Sequence, residues 1–371
     1  MSGSAARATT LLPEGPRVVE LGETFSAALA GHLLERMGAR VVRVMPAGEV
    51  AELDTLGPRL GEEGEGPAAP AVWLRHGKEA VEFDAGSSSS RARLDAVLAD
   101  ADVVLIAGTT ASWRARGVDL DDVRRAAGTA VIGHVTPWGD DGSRVDLRSN
   151  ELVLQAAGGF MKLVGASDRE PVRLGGHPLQ ATAGLLVLDG VLIGLFHRQS
   201  TGQSTSFETS EFEAVAHVEW KIASVFQSGA PIDRRGEDGG GPAAVRTRDG
   251  HFGLFFTPRE WDAMKEVVGD ARLDDPRFAT PRSRAEHQAE LTALFEETTS
   301  TMSKKDLYER AQARNIPAGY VATMTDLLAS PQYRARAFFR PIEVEGVGSG
   351  LLPDAPWAIR TIDDLDEEGA A

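Results

Sequence analysis

Short apolar runs alternate with amphipathic stretches through the first half of the chain. The apolar runs are rich in β-branched residues and predict strands at 17–21, 40–44, 102–106 and 130–135. Between the first two, the spacing of Phe25, Leu29 and Leu33 predicts a helix, and further helices are predicted at 90–99 and 120–127. Strands that alternate with helices form parallel sheets with crossover connections. The predicted fold class is therefore α/β with an open parallel sheet.

One segment of the first half departs from this alternation. Residues 72–74 and 80–83 are two short apolar runs joined around Gly77, and they predict a β-hairpin. Lys78 would then be a charge at the hairpin tip or a ligand contact.

The second half has longer helical patterns. Helices are predicted at 151–157, at about 183–199 and at 211–227, the last opened by Ser210 and Glu213 as a capping box, with a strand at 204–209. Asp249 and Gly250 between two apolar runs predict a hairpin. Later helices are predicted at 260–268, 284–299 and 304–313. These elements indicate a large domain at 17–225 and a smaller α+β domain at 230–320, with a flexible tail at 1–16 and an acidic tail at 361–371.

Composition excludes several classes of function. The chain has 371 residues, no Cys and a net charge of −16. The lack of Cys excludes a disulfide framework, a thiol nucleophile and thiolate metal sites. The acidic balance argues against nucleic acid and anionic membranes, because both require basic patches. The eight His are scattered without metal-ligand spacing, so no metal is expected.

The expected location is the cytoplasm. The start of the chain has no apolar core of the kind that a signal peptide requires. The longest apolar stretch, 183–196, is interrupted by Asp189 and is expected to be too short to span a membrane.

Three features of the sequence are candidates for chemistry. The first turn after a strand, 21–26, has one glycine where a dinucleotide fingerprint needs three, so no nicotinamide cofactor is expected. His134 ends an apolar strand, where open α/β sheets bind ligands, and it is a candidate functional residue. The run Gly239, Gly240 and Gly241 is either a flexible linker or a lid over a substrate.

A series of short motifs in fixed order resembles the class III CoA-transferases, the group of formyl-CoA transferase, carnitine CoA-transferase and 2-methylacyl-CoA racemase. The motifs lie at 18–22, 33–44, 77–84, 101–104, 151–161, 184–203, 246–250, 273–278, 315–317 and 330–332. The resemblance implies that both chain ends build the large domain, with 325–360 completing it. It also implies two subunits interlocked as a homo- or heterodimer.

In active members that this chain resembles, an Asp attacks the acyl-CoA thioester and forms an acyl-enzyme anhydride. The resemblance implies that this Asp position is Gln180, with the Asp of the racemase branch one position earlier at Leu179 and its His at Asn150, beside Glu151. A neutral amide cannot form a mixed anhydride. The chain therefore departs from both the transferase pattern and the racemase pattern at the position of the catalytic Asp.

The resemblance also indicates where coenzyme A would bind. The family Arg that contacts coenzyme A falls at Ala115, between Arg114 and Arg116, and several contacts are eroded. The candidate coenzyme A contacts are Phe25, Arg43, Lys78, Arg114, Arg116 and the glycine run 239–241.

Three functions remain open. The first is the nucleophile-lacking subunit of a heteromeric CoA-transferase that moves CoA between carboxylic acids. The second is a stand-alone lyase, isomerase or racemase-like enzyme that acts on acyl-CoA with Glu151 or His134 as the base. The third is a binding or scaffold protein without catalysis.

Overall fold

Six parallel strands form the sheet at the centre of the larger unit of the chain. The computed structural model describes residues 15–165, 169–218, 226–229 and 244–359. The strands of the sheet are β1 Arg17–Leu21, β2 Arg40–Pro46, β3 Glu79–Phe83, β4 Val103–Ala107, β5 Val131–Thr136 and β6 Ser206–Ser210. Their order is β3-β2-β1-β4-β5-β6, with every neighbouring pair parallel. The predicted α/β class and open parallel sheet are confirmed.

Both faces of this sheet are covered by helices. Val18 and Val41 pack into one apolar layer, whereas Val19 and Val44 pack into the other, because successive side chains of a strand point to opposite faces. Helices α1, α2 and α8 cover the first face, and α3, α4 and α5 cover the second. The helices of this unit are α1 Phe25–Arg36, α2 Ala69–Arg75, α3 Ser88–Ala99, α4 Thr110–Ala115, α5 Leu120–Ala126, α6 Glu151–Ala157, α8 Pro178–Thr201 and α9 Glu211–Val218. The short helix α7, Phe160–Leu163, begins in this unit and ends in the second one.

The hairpin predicted at 72–83 is wrong. Residues Ala69–Arg75 form helix α2, with Pro70 in its first turn, and β3 pairs in parallel with β2. The apolar run 72–74 has a strand-like composition, but its side chains pack on α1 as the buried face of one short helix. Tertiary packing has overridden the local preference.

Helix α8 begins at Pro178, about five residues earlier than predicted, so that Gln180 lies in its first turn. It packs closely on α1: a Cβ on Gly184 would lie 2.8 Å from the carbonyl oxygen of Ser26. By length and composition α8 could cross a membrane, which corrects the expectation that this stretch is too short. Eight of its residues are buried among the described residues, as in the core helix of a globular domain.

A second compact unit comprises 162–172 and 229–330. Its strands are β7 Val245–Thr247, β8 Gly250–Gly253 and β9 Gly319–Tyr320, which form an antiparallel sheet that includes the hairpin predicted at Asp249. Its helices are Trp261–Val268, Pro281–Glu286, Gln288–Thr299, Lys304–Gln312 and Met324–Ala329. The helix predicted at 284–299 is thus two helices, separated at His287.

Residues 331–359 belong to the first unit. They form the helix Pro331–Ala335 and an antiparallel hairpin of β10 Phe339–Val344 and β11 Gly348–Pro353. Arg36 near the end of α1 donates a hydrogen bond of 2.7 Å to Asp354, which fixes the late segment to the early one.

Candidate active-site cleft

A cleft opens at the carboxyl ends of β1 and β4, where the strand order reverses. Gly22 and Thr24 follow β1, Gly108 follows β4, and Trp113 and Arg116 of the α4 region close the far wall. Ligands bind at this switch point in open α/β sheets. The cleft has a volume of about 180 Å³. Since sites that enclose a drug-sized ligand measure about 300–1,000 Å³, it can hold an acyl group or a small acid.

Two ion-paired groups form part of the cleft wall. The carboxylate of Glu23 accepts hydrogen bonds from Arg43 at 2.9 Å and from Arg75 at 2.5 Å, and it is almost fully buried. Arg116 pairs with Glu49 at 2.7 Å, and its guanidinium lies over the Trp113 ring. The positive charges near the cleft are therefore largely neutralised by carboxylates of the same chain.

Glu52 lies on the cleft wall at the N-terminus of α1. It begins the 3₁₀ turn Glu52–Thr55, and its carboxylate accepts a hydrogen bond from the backbone N–H of Phe25. In dinucleotide-binding sheets of this strand order, the N-terminus of the first helix holds the cofactor pyrophosphate. Here a carboxylate of the chain itself occupies that anion position.

Gln180 lies directly behind Glu52, in the first turn of α8. Its Nε2 donates to Glu52 Oε1 at 2.9 Å, and its Oε1 accepts from His177 Nδ1 at 3.1 Å. The imidazole of His177 stacks on the Phe25 ring, with a centroid distance of 4.7 Å. The Gln180 amide is thus engaged at both ends and is 2% exposed.

Glu151 of α6 caps the same helix. Its carboxylate accepts from the backbone N–H groups of Leu179 and Gln180 at 3.1 and 3.0 Å and from Gln155 Nε2 at 2.8 Å. Three donors hold this carboxyl group against the N-terminal end of α8. Glu151 therefore holds the first turn of α8 in place.

Glu211, the first residue of α9, completes the group. It is 3% exposed and accepts hydrogen bonds from the Ser26 hydroxyl and the Gln180 amide. Burial raises the pKa of the Glu211 carboxyl to about 8, and repulsion from Glu52 adds to the rise. Burial also raises the pKa of Glu52, although the hydrogen bonds from Gln180 and Phe25 oppose this shift. Glu211 accordingly keeps its proton to a higher pH than an ordinary carboxyl group.

We expect Glu211→Gln to flatten the decline of stability with pH. Folded Glu211 keeps its proton up to a pH of about 8, whereas an unfolded Glu releases it at about 4.3. Folding therefore takes up a proton between these values, and the stability from this group, complete below pH 4, is lost as the pH rises to about 8. The slope is roughly 1 kcal/mol per pH unit.

Urea unfolding at pH 5, 6, 7 and 8 measures this effect as the difference between the wild type and Glu211→Gln. Glu213→Gln, a change of an exposed carboxylate on the same helix, is the matched control. A constant difference across the four pH values would contradict the buried neutral carboxyl.

The other catalytic candidates have structural contacts. Asn150 is the N-cap of α6, where its Oδ1 accepts from the backbone N–H of Val153 at 3.0 Å. His134 is buried near the carboxyl end of β5, and its ring Nε2 lies 2.6 Å from the carbonyl oxygen of Gly108. Gly108 lines the cleft, so His134 supports the cleft from behind.

The candidate coenzyme A contacts differ in where they lie relative to the cleft. Arg116 lies on the cleft wall and Arg43 lies behind it against Glu23, whereas Arg114 is exposed outside the lining. Phe25 is buried under His177. The run Gly239, Gly240 and Gly241 lies outside the described residues.

Lys78 is not at a hairpin tip. Its side chain is 0% exposed, and its Nζ bonds to Glu20 Oε1 at 2.5 Å and to the carbonyl oxygen of Ala28 at 2.8 Å. The expectation of a charge at a hairpin tip is wrong because the segment before Lys78 is the helix α2. The side chain of Lys78 instead reaches Glu20 of β1 and the backbone of Ala28 in α1. Gly31 leaves room for this pair, since a Cβ there would lie 1.7 Å from Glu20 Oε1.

Sequence reasoning missed Glu52, Glu211 and Glu23. Glu211 carried a usable signal, because it directly follows β6 at the carboxyl edge of a parallel sheet. Glu52 lies in a loop after β2 without a comparable signal. Among the described residues, no group of three or more His, Asp or Glu side chains has the arrangement of a metal site.

Comparisons with known proteins cover nearly the whole chain. A family model described as CoA-transferase family III matches residues 14–362. The succinate–glutarate CoA-transferase of Agrobacterium fabrum is 24% identical over 340 residues, which are 89% of this chain and 85% of that protein. The BbsE subunit of the succinyl-CoA:(R)-benzylsuccinate CoA-transferase of Thauera aromatica is 26% identical over 91% of this chain and 85% of its own.

Among solved structures, a CAIB/BAIF family protein from Brucella suis has a TM-score of 0.81 to this chain and 27% identity. The match covers 94% of this chain and 92% of that one. The similarity therefore extends over both compact units rather than over the sheet alone.

Proposed function

Because this chain belongs to CoA-transferase family III, we propose that it acts on acyl-CoA thioesters as the nucleophile-lacking subunit of a heteromeric CoA-transferase. Relatives named as subunits of such enzymes, including the one from Thauera aromatica, support a subunit role. The active partner would be a similar chain that carries Asp where this chain has Gln180. Together they would move CoA between two carboxylic acids.

The observation that carries this proposal is the state of Gln180. An amide has no ionised oxygen with which to attack a thioester. Its oxygen accepts a hydrogen bond from His177 and its nitrogen donates one to Glu52. Both ends of the amide are therefore held in place, and the position presents no carboxylate for attack. The carboxyl group of Glu151, which contacts the backbone N–H of Gln180, already accepts three hydrogen bonds.

The protein purified alone is expected to form no covalent acyl-enzyme. The test is incubation with succinyl-CoA, reduction with borohydride and measurement of the intact mass, with the Agrobacterium fabrum relative as a positive control. CoA exchange is expected only after co-expression with a similar chain that has Asp at the Gln180 position. An adduct on Glu52, Glu151 or Glu211 of the isolated chain would refute the subunit proposal and identify a relocated nucleophile.

An exposed apolar face of α8 supports the dimer that the proposal requires. Leu185, Leu192, Ile193 and Phe196 are 46%, 40%, 69% and 71% exposed on one helix. Clusters of this kind mark interaction surfaces of soluble proteins. We propose that this face meets the second subunit, whether a copy of this chain or the active partner.

Replacement of Ile193 and Phe196 by Glu is expected to dissociate the dimer. Each side chain contributes about 1.5–3 kcal/mol when buried, so loss of both weakens association by roughly 10²–10⁴-fold. Light scattering at low micromolar concentration should report half the mass of the wild type. Gln199→Glu, an exposed charge at the end of the same helix, is the control, and an unchanged mass in the double variant would exclude this face.

A further inference from the structure

A second pocket lies at the edge of the sheet opposite to the cleft. The strands β1, β2 and β3 begin at this edge, and residues 93–100 at the end of α3 form the facing wall. The pocket has a volume of about 340 Å³. This volume lies within the range of about 300–1,000 Å³ that is usual for sites of small molecules. The cleft lies at the other end of the same strands, so a ligand here would not reach it.

Two arginines lie side by side at the start of adjacent strands. Arg17 of β1 is in register with Arg40 of β2, and residues in register on parallel neighbours point to the same face, about 4.8 Å apart. Like charges at such positions repel each other and destabilise a sheet. Arg93 of α3 lines the same pocket. Positive charge is therefore concentrated at one site of a chain whose net charge is −16.

The acidic residues of the pocket do not balance these arginines. Arg17 pairs with Asp100 at 2.5 Å. Arg40 and Arg93 are exposed, and within the described parts of the chain neither side chain has a hydrogen bond or an ion pair. Glu79 is the second carboxylate of the lining. Because three arginines and two carboxylates line the pocket, it carries one excess positive charge.

Arginines that line other pockets of the chain are neutralised. In the second unit, Arg272 and Arg277 line a pocket of about 510 Å³, and each pairs with two carboxylates. In the cleft, Arg116 pairs with Glu49. The pocket at the start of the sheet differs from both, because two of its arginines keep their N–H donors for a ligand.

The floor of this pocket is apolar. Val19 is 2% exposed, Val42 and Val97 are half-buried, and all three belong to the apolar layer between the sheet and α3. Burial of an apolar chain on this floor would contribute about 25 cal/mol per Å². A carboxylate with one negative charge matches the excess charge of the lining, whereas a phosphate monoester carries about −1.5 to −2 at pH 7. The complementary ligand is therefore a monocarboxylate with an apolar chain.

We propose that this pocket binds a small carboxylic acid, with its carboxylate on Arg40 and Arg93 and its apolar chain on Val42 and Val97. Each planar guanidinium can donate two parallel hydrogen bonds to a carboxylate. The bound carboxylate also offsets the repulsion between Arg17 and Arg40. Because the pocket and the cleft lie at opposite edges of the sheet, this acid is a second ligand, distinct from the acyl group of the proposed CoA transfer.

Calorimetric titration of the full-length protein with octanoate tests this site. The wild type should bind it, and more weakly as the salt concentration rises. Arg40→Gln and Arg93→Gln should each weaken binding about tenfold, which corresponds to about 1.4 kcal/mol. Arg125→Gln, on the neighbouring α5 with a side chain that is 74% exposed, is the control and should bind as the wild type does. Lack of binding by the wild type, or unchanged affinity in both Arg40→Gln and Arg93→Gln, would overturn the proposal.

Ala96 allows a second test that preserves the fold. It is exposed on α3 in the wall of the pocket, so a long polar side chain can be accommodated there. Ala96→Glu should abolish octanoate binding, because it cancels the excess positive charge. Ala96→Lys, which adds a side chain of similar size and opposite charge, should retain binding. Equal affinities of the two variants would show that charge does not hold the ligand and would overturn the proposal.

Other ligands test the chemistry of the site. Octanamide has the chain without the charge and acetate has the charge without the chain, so both should bind more weakly than octanoate. Octyl phosphate should also bind more weakly, and tighter binding of it would overturn the assignment to a carboxylate.

The cleft is the alternative location for octanoate. Loss of binding in Arg116→Gln together with full binding in Arg40→Gln would place the acid in the cleft and overturn this proposal. The CoA-transferase role would stand in that case, because it is tested separately by co-expression and CoA exchange.

Discussion

Lys78→Met is expected to lower the free energy of unfolding by roughly 3–5 kcal/mol, the usual cost of leaving one partner of a buried ion pair uncompensated. Lys78 is 0% and Glu20 1% exposed, with 2.5 Å between Nζ and Oε1. Burial raises the pKa of Glu20 and lowers that of Lys78, and their mutual attraction opposes both shifts. Met approximately preserves the length of the side chain, so the loss of stability reports the removal of the charge. Urea denaturation at neutral pH measures it.

The double variant Glu20→Gln with Lys78→Met is the control for this prediction. It removes both charges, so it should recover much of the lost stability, as replacement of whole buried pairs often does. If the single variant lost less than about 1 kcal/mol, Glu20 would have to be protonated at little cost, and the buried pair would be a minor contributor.

Gln180→Asp is expected to yield no acyl-enzyme and to lower the free energy of unfolding by about 3 kcal/mol at pH 8, an order of magnitude set by uncompensated buried charge. The new carboxyl would lie among Glu52, Glu151 and Glu211 and would lose the hydrogen bond to Glu52. Burial and repulsion would raise its pKa in the folded state. The variant would therefore be most stable at low pH and lose stability as the pH rises.

Gln180→Met separates the effect of the new charge on stability from that of the lost hydrogen bonds, because Met is neutral and similar in size to Gln. Its stability loss should vary little with pH, whereas that of Gln180→Asp should grow between pH 5 and pH 8. Restored CoA exchange by Gln180→Asp, measured with succinyl-CoA and a carboxylic acid acceptor, would show that the substitution of Asp by Gln is the single defect of the site.

The sheet could be predicted because its central strands are buried on both faces. β1, β4 and β5 are almost wholly buried, and these three and β2 read as short runs rich in Val, Ile and Leu. The predicted bounds of the four strands differ from the observed ones by at most two residues. The family resemblance drawn from ordered motifs is likewise confirmed over residues 14–362. Residues 72–74 misled the prediction because a three-residue run has no periodicity with which to distinguish a helix from a strand.

The site was harder to predict than the fold. Gln180 and Glu151 were selected through the resemblance, and the structure places them in contact at the start of α8. Glu52 and Glu211 are 128 and 31 residues from Gln180 along the chain, and a lone carboxylate carries no spacing signal. A buried neutral carboxyl arises from burial and from neighbouring charges, which the order of residues does not display.

The return of residues 331–359 to the first unit has a consequence for biosynthesis. Arg36 is bonded to Asp354, which the ribosome adds 318 residues later. At about 5–20 residues per second, this interval lasts roughly 15–60 s, during which the large unit lacks its C-terminal hairpin of β10 and β11. The intervening unit, 229–330, can fold during that wait. Completion of the large unit is therefore a late event, and incomplete translation products should be preferred targets of chaperones and proteases.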